Sequence, residues 1–334
     1  MSDESRVEVD ALASAAHGEE FVDDVKTAAS AAAEEESQTA PGALDEDDDR
    51  AKPQRDADSG AGDGQTPIFF LDDIHVTFKT RTGSLFHPNR VHAVNGLTLR
   101  LMPGETIGIV GESGCGKSTT ANVICGLQKP TSGHVYFKGE DVTNRTAAER
   151  RKIGRVISVV FQDPATALNA RMTIHDQLLD PMRVHSVGDK DSREKRIHEL
   201  IGMVGLPGSV LGALPGQLSG GQRQRVAIAR ALALNPDAII ADEPTSALDV
   251  SVRAQILTLL MDLKRDLNLA MVFISHDIQT VRYISDRIIV MNAGRAVETG
   301  TPEQIFEHPQ DDYTRLLLGA APSLLHPDLG KRSA

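Results

Sequence analysis

A few short stretches of this chain combine residue types that handle phosphate. Gly111-Glu112-Ser113-Gly114-Cys115-Gly116-Lys117-Ser118, followed by Thr119, has the spacing G-x-x-x-x-G-K-[ST]. Its glycines let backbone N–H groups turn inward around an anion. The helix it opens adds a partial positive charge, and Lys117 adds a full one where β- and γ-phosphates would lie. The Ser118 hydroxyl is an oxygen donor for Mg²⁺. Well downstream, the apolar run Ala238–Ala241 ends in Asp242 and Glu243. Alone, that pair reads as a solvated turn. Behind a phosphate loop, the first acid serves the Mg²⁺ and the second can take a proton from water attacking a γ-phosphate. A nucleotide's phosphates and Mg²⁺ are therefore the expected ligands.

Such groups need rigid elements behind them. Thr106–Val110 reads as a short buried strand running straight into the loop, and Lys117–Gly126 as the helix that follows. Val156–Phe161, Ala238–Ala241 and Ala270–Ser275 are further apolar runs of the parallel-sheet type. Ile68–Phe78 and His92–Leu101 have strand composition, with a Gly/Pro/Asn-bearing loop between them. Helical stretches are expected over Ser192–Val204, Gln222–Leu234 and Val252–Leu267. Strands alternating with helices predict an α/β fold on a parallel sheet. Residues from about 165 to 235 hold no strand pattern and read as a helical insert.

Leu218-Ser219-Gly220-Gly221-Gln222 extends this reading. Ser and Gly before a helix can be capping alone. Standing 23 residues before Asp242 and followed by QRQRVAIARAL, however, the stretch resembles the signature of ATP-binding-cassette (ABC) ATPases. Other landmarks of that family follow in order. Gln162 in Val160-Phe161-Gln162-Asp163-Pro164 resembles the Q-loop glutamine, which also reaches Mg²⁺. Ser246-Ala247-Leu248-Asp249 resembles the D-loop, and His276 in Ile274-Ser275-His276-Asp277 the switch histidine. Phe78 stands where the family places an aromatic against adenine, although a core role is also open to it. The resemblance spans residues 68–322. It implies a P-loop NTPase fold: a RecA-like parallel-sheet core, an antiparallel β subdomain and a helical signature subdomain. It also implies a two-chain machine, with each ATP held between one chain's phosphate loop and the other's signature turn.

Finer wording resembles the ATPases of oligopeptide and dipeptide permeases, second-subunit type. The carriers are Phe161-Gln162-Asp163-Pro164 with Ala167-Leu168-Asn169, Glu243–Val252, and the end from Val297 through His308-Pro309, Tyr313-Thr314 and Leu317. The resemblance implies a second ABC ATPase subunit in a heterodimer, two transmembrane permease subunits and an extracytoplasmic substrate-binding protein. The chain would then sit peripherally on the cytoplasmic face of the membrane. The same subfamily serves nickel and oligosaccharide importers, and a soluble ABC ATPase acting on nucleic acid or ribosomes is a further alternative. Departures from the pattern are Ala170, Gly216, Gln217 and the insert Gln310-Asp311-Asp312 within H-P-Y-T. The cysteine-bearing tail of many members is missing, so no iron–sulfur cluster is expected.

The 334 residues allow roughly two domains. The formal charge of −12 is concentrated in residues 1–67, which carry 19 acidic and 5 basic side chains. The rest is nearly neutral, which argues against a nucleic-acid partner. Residues 1–67 are expected to be disordered, apart from a possible short helix over 9–25, and 323–334 to be a flexible end. No apolar run reaches the roughly 18–20 residues that span a bilayer. Cys115 and Cys125 are the only cysteines, which fits a reducing compartment. Cys115, before a helix N-terminus and beside Lys117, is expected to favour thiolate and react with alkylating agents.

Overall fold

The computed structural model describes residues 65–79 and 90–320. The helix expected over 9–25, nearly all of the acidic segment and the end 323–334 lie outside these residues. From Pro67 the described residues belong to one unit.

One sheet is antiparallel. Its strands β1 (Phe69–Lys79), β2 (Arg90–Leu101), β4 (Ser132–Phe137) and β5 (Glu140–Asp141) lie in the order β2-β1-β4-β5. The other contains β3 (Thr106–Val110), β6 (Ile157–Val160), β7 (Ala238–Asp242), β8 (Ala270–Ser275), β9 (Arg287–Asn292) and β10 (Arg295–Gly300). Its order is β10-β9-β3-β8-β7-β6, parallel except for β10. That edge strand returns from β9 through Ala293 and Gly294, both left-handed at φ 45° and 79°. Two successive positive φ values match the twist of a tight hairpin.

The helices are α1 (Lys117–Ile124), α2 (Ala147–Val156), α3 (Pro164–Ala167), α4 (Ile174–Val184), α5 (Lys190–Met203), α6 (Gly220–Ala231), α7 (Val250–Leu267), α8 (Ile278–Ile284), α9 (Pro302–Glu307) and α10 (Asp312–Ala320). Among the described residues no strand falls between β6 and β7. Two expected helices shift a boundary for local reasons. The first stops at Ile124 because Gly126 at φ 78° begins a turn. The signature helix starts at Gly220 because Ser219 caps it. Strands β4, β5, β9 and β10 and helices α2 and α8–α10 were not anticipated, whereas α4 falls inside the expected helical insert.

The parallel sheet is apolar on both faces, and its period-two alternation feeds two cores. Met271 and Phe273 of β8 enter one core, while Ala270, Val272 and Ile274 enter the other. Ile239 and Ala241 of β7 divide from Ala238 and Ile240 in the same way, as do Ile288 and Val290 of β9 from Ile289 and Met291. The first core is completed by α4–α8, the second by the antiparallel sheet, α1 and α2. A wholly buried side chain such as Phe273 contributes about 1.5–3 kcal/mol of transfer free energy. Clamping from both faces fixes the strand ends, and the chemistry sits there.

Candidate active site

Strand β3 is buried along its whole length and passes directly into the glycine-rich turn. Lys117 opens α1 and is only 6% exposed. Its Nζ donates to the carbonyls of Gly111 and Glu112, both at 2.8 Å. The loop is thus wound around its own lysine. Gly116 holds φ 102°, and a Cβ there would meet the Ala93 carbonyl oxygen at 2.1 Å. Only glycine fits both demands. Ser118 is half-buried, Thr119 is buried, and Glu112, Ser113 and Gly114 are exposed.

Cys115 corrects an expectation. Its side chain is 4% exposed and belongs to the second core, with Sγ 3.8 Å from the Lys117 Nζ. A helix N-terminus and a lysine do flank it, but packing denies a reagent access unless the loop opens. Cys125 at the other end of α1 has its thiol pushed up to about 12, by burial first and then by the charge of Asp242.

The strand ends β3, β8, β7 and β6 are neighbours, in register at Val110–Ser275, Asp242–Ile274 and Val160–Ala241. Residues just past those ends therefore meet at one sheet edge, the usual ligand crevice of a parallel sheet. Asp242 closes β7 and is half-buried. Glu243 follows with φ 43°, and its N–H donates to the Ile274 carbonyl at 2.9 Å. A left-handed carboxylate residue is strained, and such strain concentrates at functional positions. Gln162 Nε2 donates to Glu243 Oε2 at 3.2 Å, and His276 Nδ1 lies 3.2 Å from Glu243 Oε1. Two residues from two other loops converge on this one carboxylate. The cavity beside them is lined by Glu243, Thr245, Ser246, Arg253 and His276, among others. Arg253 was not singled out from sequence. It stands on α7, 3.8 Å from Asp277, the residue after the switch histidine. Only the fold brings the two together.

The signature turn is built separately. Ser219 caps α6 reciprocally with Gln222: its Oγ accepts the Gln222 N–H at 3.2 Å, and its own N–H donates to Gln222 Oε1 at 2.9 Å. Gly221 lies against α7, where a Cβ would meet Val252 Cγ1 at 2.6 Å. Asp249 caps α7 through the Val252 N–H at 3.0 Å and accepts from Ser251 Oγ at 2.9 Å. Those bonds, the backbone one foremost, hold its carboxyl below the usual range. Helix α1 packs on β1, β2 and β7 within the second core, whereas α6 packs on β6 and among α3, α4, α5 and α7 within the first. The two glycine-bearing turns thus lie on opposite faces of the parallel sheet. Phe78 pairs with Val91 across β1 and β2 and packs, half-buried, on the second core.

Ser118, Gln162 and Asp242 offer hydroxyl, amide and carboxylate oxygens, the hard donors that Mg²⁺ prefers. Among the described residues no group of three His, Cys, Asp or Glu side chains is placed to hold a metal.

A family model described as ABC transporter matches residues 94–246. The oligopeptide transport ATP-binding protein OppF of Lactococcus lactis subsp. lactis (strain IL1403) is 46% identical over 258 residues, 77% of this chain and 81% of that protein. This chain belongs to the ABC transporter family. The dipeptide transport ATP-binding protein DppF of Escherichia coli (strain K12) is 42% identical over 265 residues, 79% of each chain. Among solved structures, the dimeric post-hydrolysis state of the ATP-binding cassette MJ0796 bound to ADP and Pi matches with TM-score 0.62 and 35% identity. It covers 70% of this chain and 99% of the cassette. The mixed parallel sheet with its separate antiparallel sheet is the ABC ATPase fold.

Proposed function

We propose that this ABC protein is the ATP-hydrolysing subunit of a membrane importer of oligopeptides or dipeptides. The observation that carries the reading is the meeting of the Lys117 loop, Glu243, Gln162 and His276 at one edge of the parallel sheet. The oligopeptide and dipeptide transport relatives support the substrate class, and nothing favours nickel, oligosaccharides or nucleic acid.

In this reading, the backbone N–H groups of Ser113, Gly114, Cys115 and Gly116 receive the phosphates, Lys117 places its charge at the β/γ bridge, and Phe78 lies against adenine. Ser118, Gln162 and Asp242 hold Mg²⁺, which neutralises phosphate charge when bound. Glu243 takes the proton of the attacking water. His276 and Gln162 orient that carboxylate, and His276 reaches the γ-phosphate. Ser219, Gly220, Gly221, Gln222 and Asp249 act on the facing subunit's nucleotide, presenting a hydroxyl, bare N–H groups and a helix N-terminus. The working unit is a heterodimer with a second ABC ATPase subunit, bound to two permease subunits and fed by an extracytoplasmic binding protein. Among the described residues no helix is long and apolar enough to cross a membrane; in this reading the chain is held at the cytoplasmic face by its permease partners.

The test is Glu243→Gln, which keeps size and hydrogen bonding but accepts no proton. Hydrolysis is expected to fall about 10²- to 10⁴-fold while ATP binding survives, trapping the ATP-bound pair on size-exclusion chromatography. Normal turnover would place the base elsewhere. For the substrate, ATPase activity in the reconstituted complex should rise with a peptide-loaded binding protein.

A further inference from the structure

The C-terminal segment reaches back to the phosphate loop at two points. On α10, the Tyr313 hydroxyl accepts the Glu112 N–H at 3.1 Å. In the β9–β10 turn, the Gly294 N–H donates to the Cys115 carbonyl at 3.1 Å. The turn is itself tied to β2, since the Asn95 N–H donates to the Gly294 carbonyl at 2.8 Å.

Tyr313 is brought there by the residues that interrupt H-P-Y-T. The Glu298 carboxylate of β10 accepts the N–H groups of Gln310 and Asp311 at 2.9 and 3.1 Å. Asp311 accepts the Tyr313 N–H at 2.8 Å. Arg315 closes the turn, donating to the carbonyls of Pro309 and Gln310 at 3.2 and 3.0 Å. Thr314 is wholly buried, and Tyr313, Leu317 and Leu318 pack on the first core. The insert is a built turn that aims one hydroxyl at the loop.

The aim is specific. The peptide group before Glu112 is held by Tyr313, and the one after it by Lys117 through the Glu112 carbonyl. The peptide group after Cys115 is held by Gly294. Between these anchors lie the N–H groups of Ser113 and Gly114, while the Cys115 N–H donates to the Glu112 carbonyl at 3.3 Å. We infer that Tyr313 is a positioning residue for ATP: by fixing the Glu112 peptide it pre-shapes the loop, so the C-terminal helix sets nucleotide affinity. The inference rests on the phosphate-binding role of that loop. Ordering done before binding does not have to be done during it.

The test is Tyr313→Phe in the full chain, which keeps the ring and its packing but deletes the acceptor. Loss of one hydrogen bond of ordinary net strength should raise the Kd for ATP–Mg²⁺ by about 2- to 10-fold. The melting temperature without nucleotide should hardly move, while the rise in melting temperature on adding ATP should shrink. Glu298→Ala, which frees the same turn, should weaken ATP in the same direction. An unchanged Kd in Tyr313→Phe overturns the inference. So does a melting temperature lowered equally with and without ATP, which would make the contact merely structural. Lys117→Ala measured alongside separates the two readings: if it binds ATP normally, the phosphate-loop assignment itself fails.

Discussion

The phosphate loop and the signature turn both open helices, and both present glycines, N–H groups and a hydroxyl. They are held in opposite ways. The loop is fastened by distant parts of the chain: Ala93 confines Gly116, Gly294 holds the Cys115 carbonyl, and Tyr313 takes the Glu112 N–H. The signature turn is fastened mainly by itself, through the reciprocal Ser219–Gln222 bonds, with Val252 against Gly221 as its close neighbour from another element. In the proposed reading the loop must enclose a nucleotide's phosphates, and that needs a tertiary mould. In the same reading the signature turn offers one hydroxyl and a helix end to a facing subunit, and that needs only a cap.

Breaking each kind of support should have different consequences. The largest effect is expected for Gly116→Ala, where a Cβ meets backbone at 2.1 Å and φ is 102°. Strained backbone alone costs about 1–3 kcal/mol, so both thermal stability and ATP binding should drop, read by melting and nucleotide titration. Gly114→Ala sharpens the point, because its Cβ meets nothing within 4 Å although φ is 79°; its loss should be clearly smaller. Equal losses would mean that conformation, not the mould, makes the loop.

Ser219→Ala should act locally. Losing a cap costs about 0.5–2 kcal/mol, and ATP affinity of the isolated chain should stay at the wild-type value. Hydrolysis by the assembled pair should fall. A variant with weakened ATP binding by the single chain would contradict the separation of the two motifs.

The smallest effect concerns the layer that carries the signature turn. His175 on α4 meets Glu194 on α5 at 3.0 Å. That hydrogen bond is the main cause raising the His175 pKa above 6.5 and lowering that of Glu194 below 4.5. The histidine's contribution is complete below its unfolded pKa and disappears as pH rises through the raised folded one. The glutamate's is present above its unfolded pKa and disappears as pH falls through the lowered one. The melting-temperature difference between wild type and His175→Gln should therefore be largest between the two unfolded-state values, about 4.3 for Glu and about 6.5 for His, and should vanish as pH rises through the raised histidine value. A flat difference would remove the pair as a support of this layer.

Much of the site was legible in the sequence because each motif follows a short apolar strand. Parallel strands in one sheet must end at one edge, so Lys117, Glu243 and His276 had to gather there. The helical insert was legible for lack of any period-two run. Strand β4 was not, since Ser132–Phe137 buries a single residue fully and pairs at long range with β1. Cys115 misled because its sequence neighbours argue for a reactive thiol while the direction of its side chain is set by packing. Tyr313 was visible as a departure from a familiar spacing, but its hydrogen bond spans 201 positions.

What the sequence determined by itself was the chemistry and its local scaffolding: a phosphate loop, a pair of acids, capped helices and buried strands. These depend on residue type and on spacing within a turn or two, where backbone geometry leaves few choices. The tertiary structure alone decided that Gln162 and His276 bracket Glu243, that Glu243 adopts φ 43°, that Cys115 is shut away, and that the C-terminal helix touches the loop. Each of those follows from which elements stack on which face of the parallel sheet. Stacking is fixed by the summed burial of two cores, which no single stretch of sequence contains.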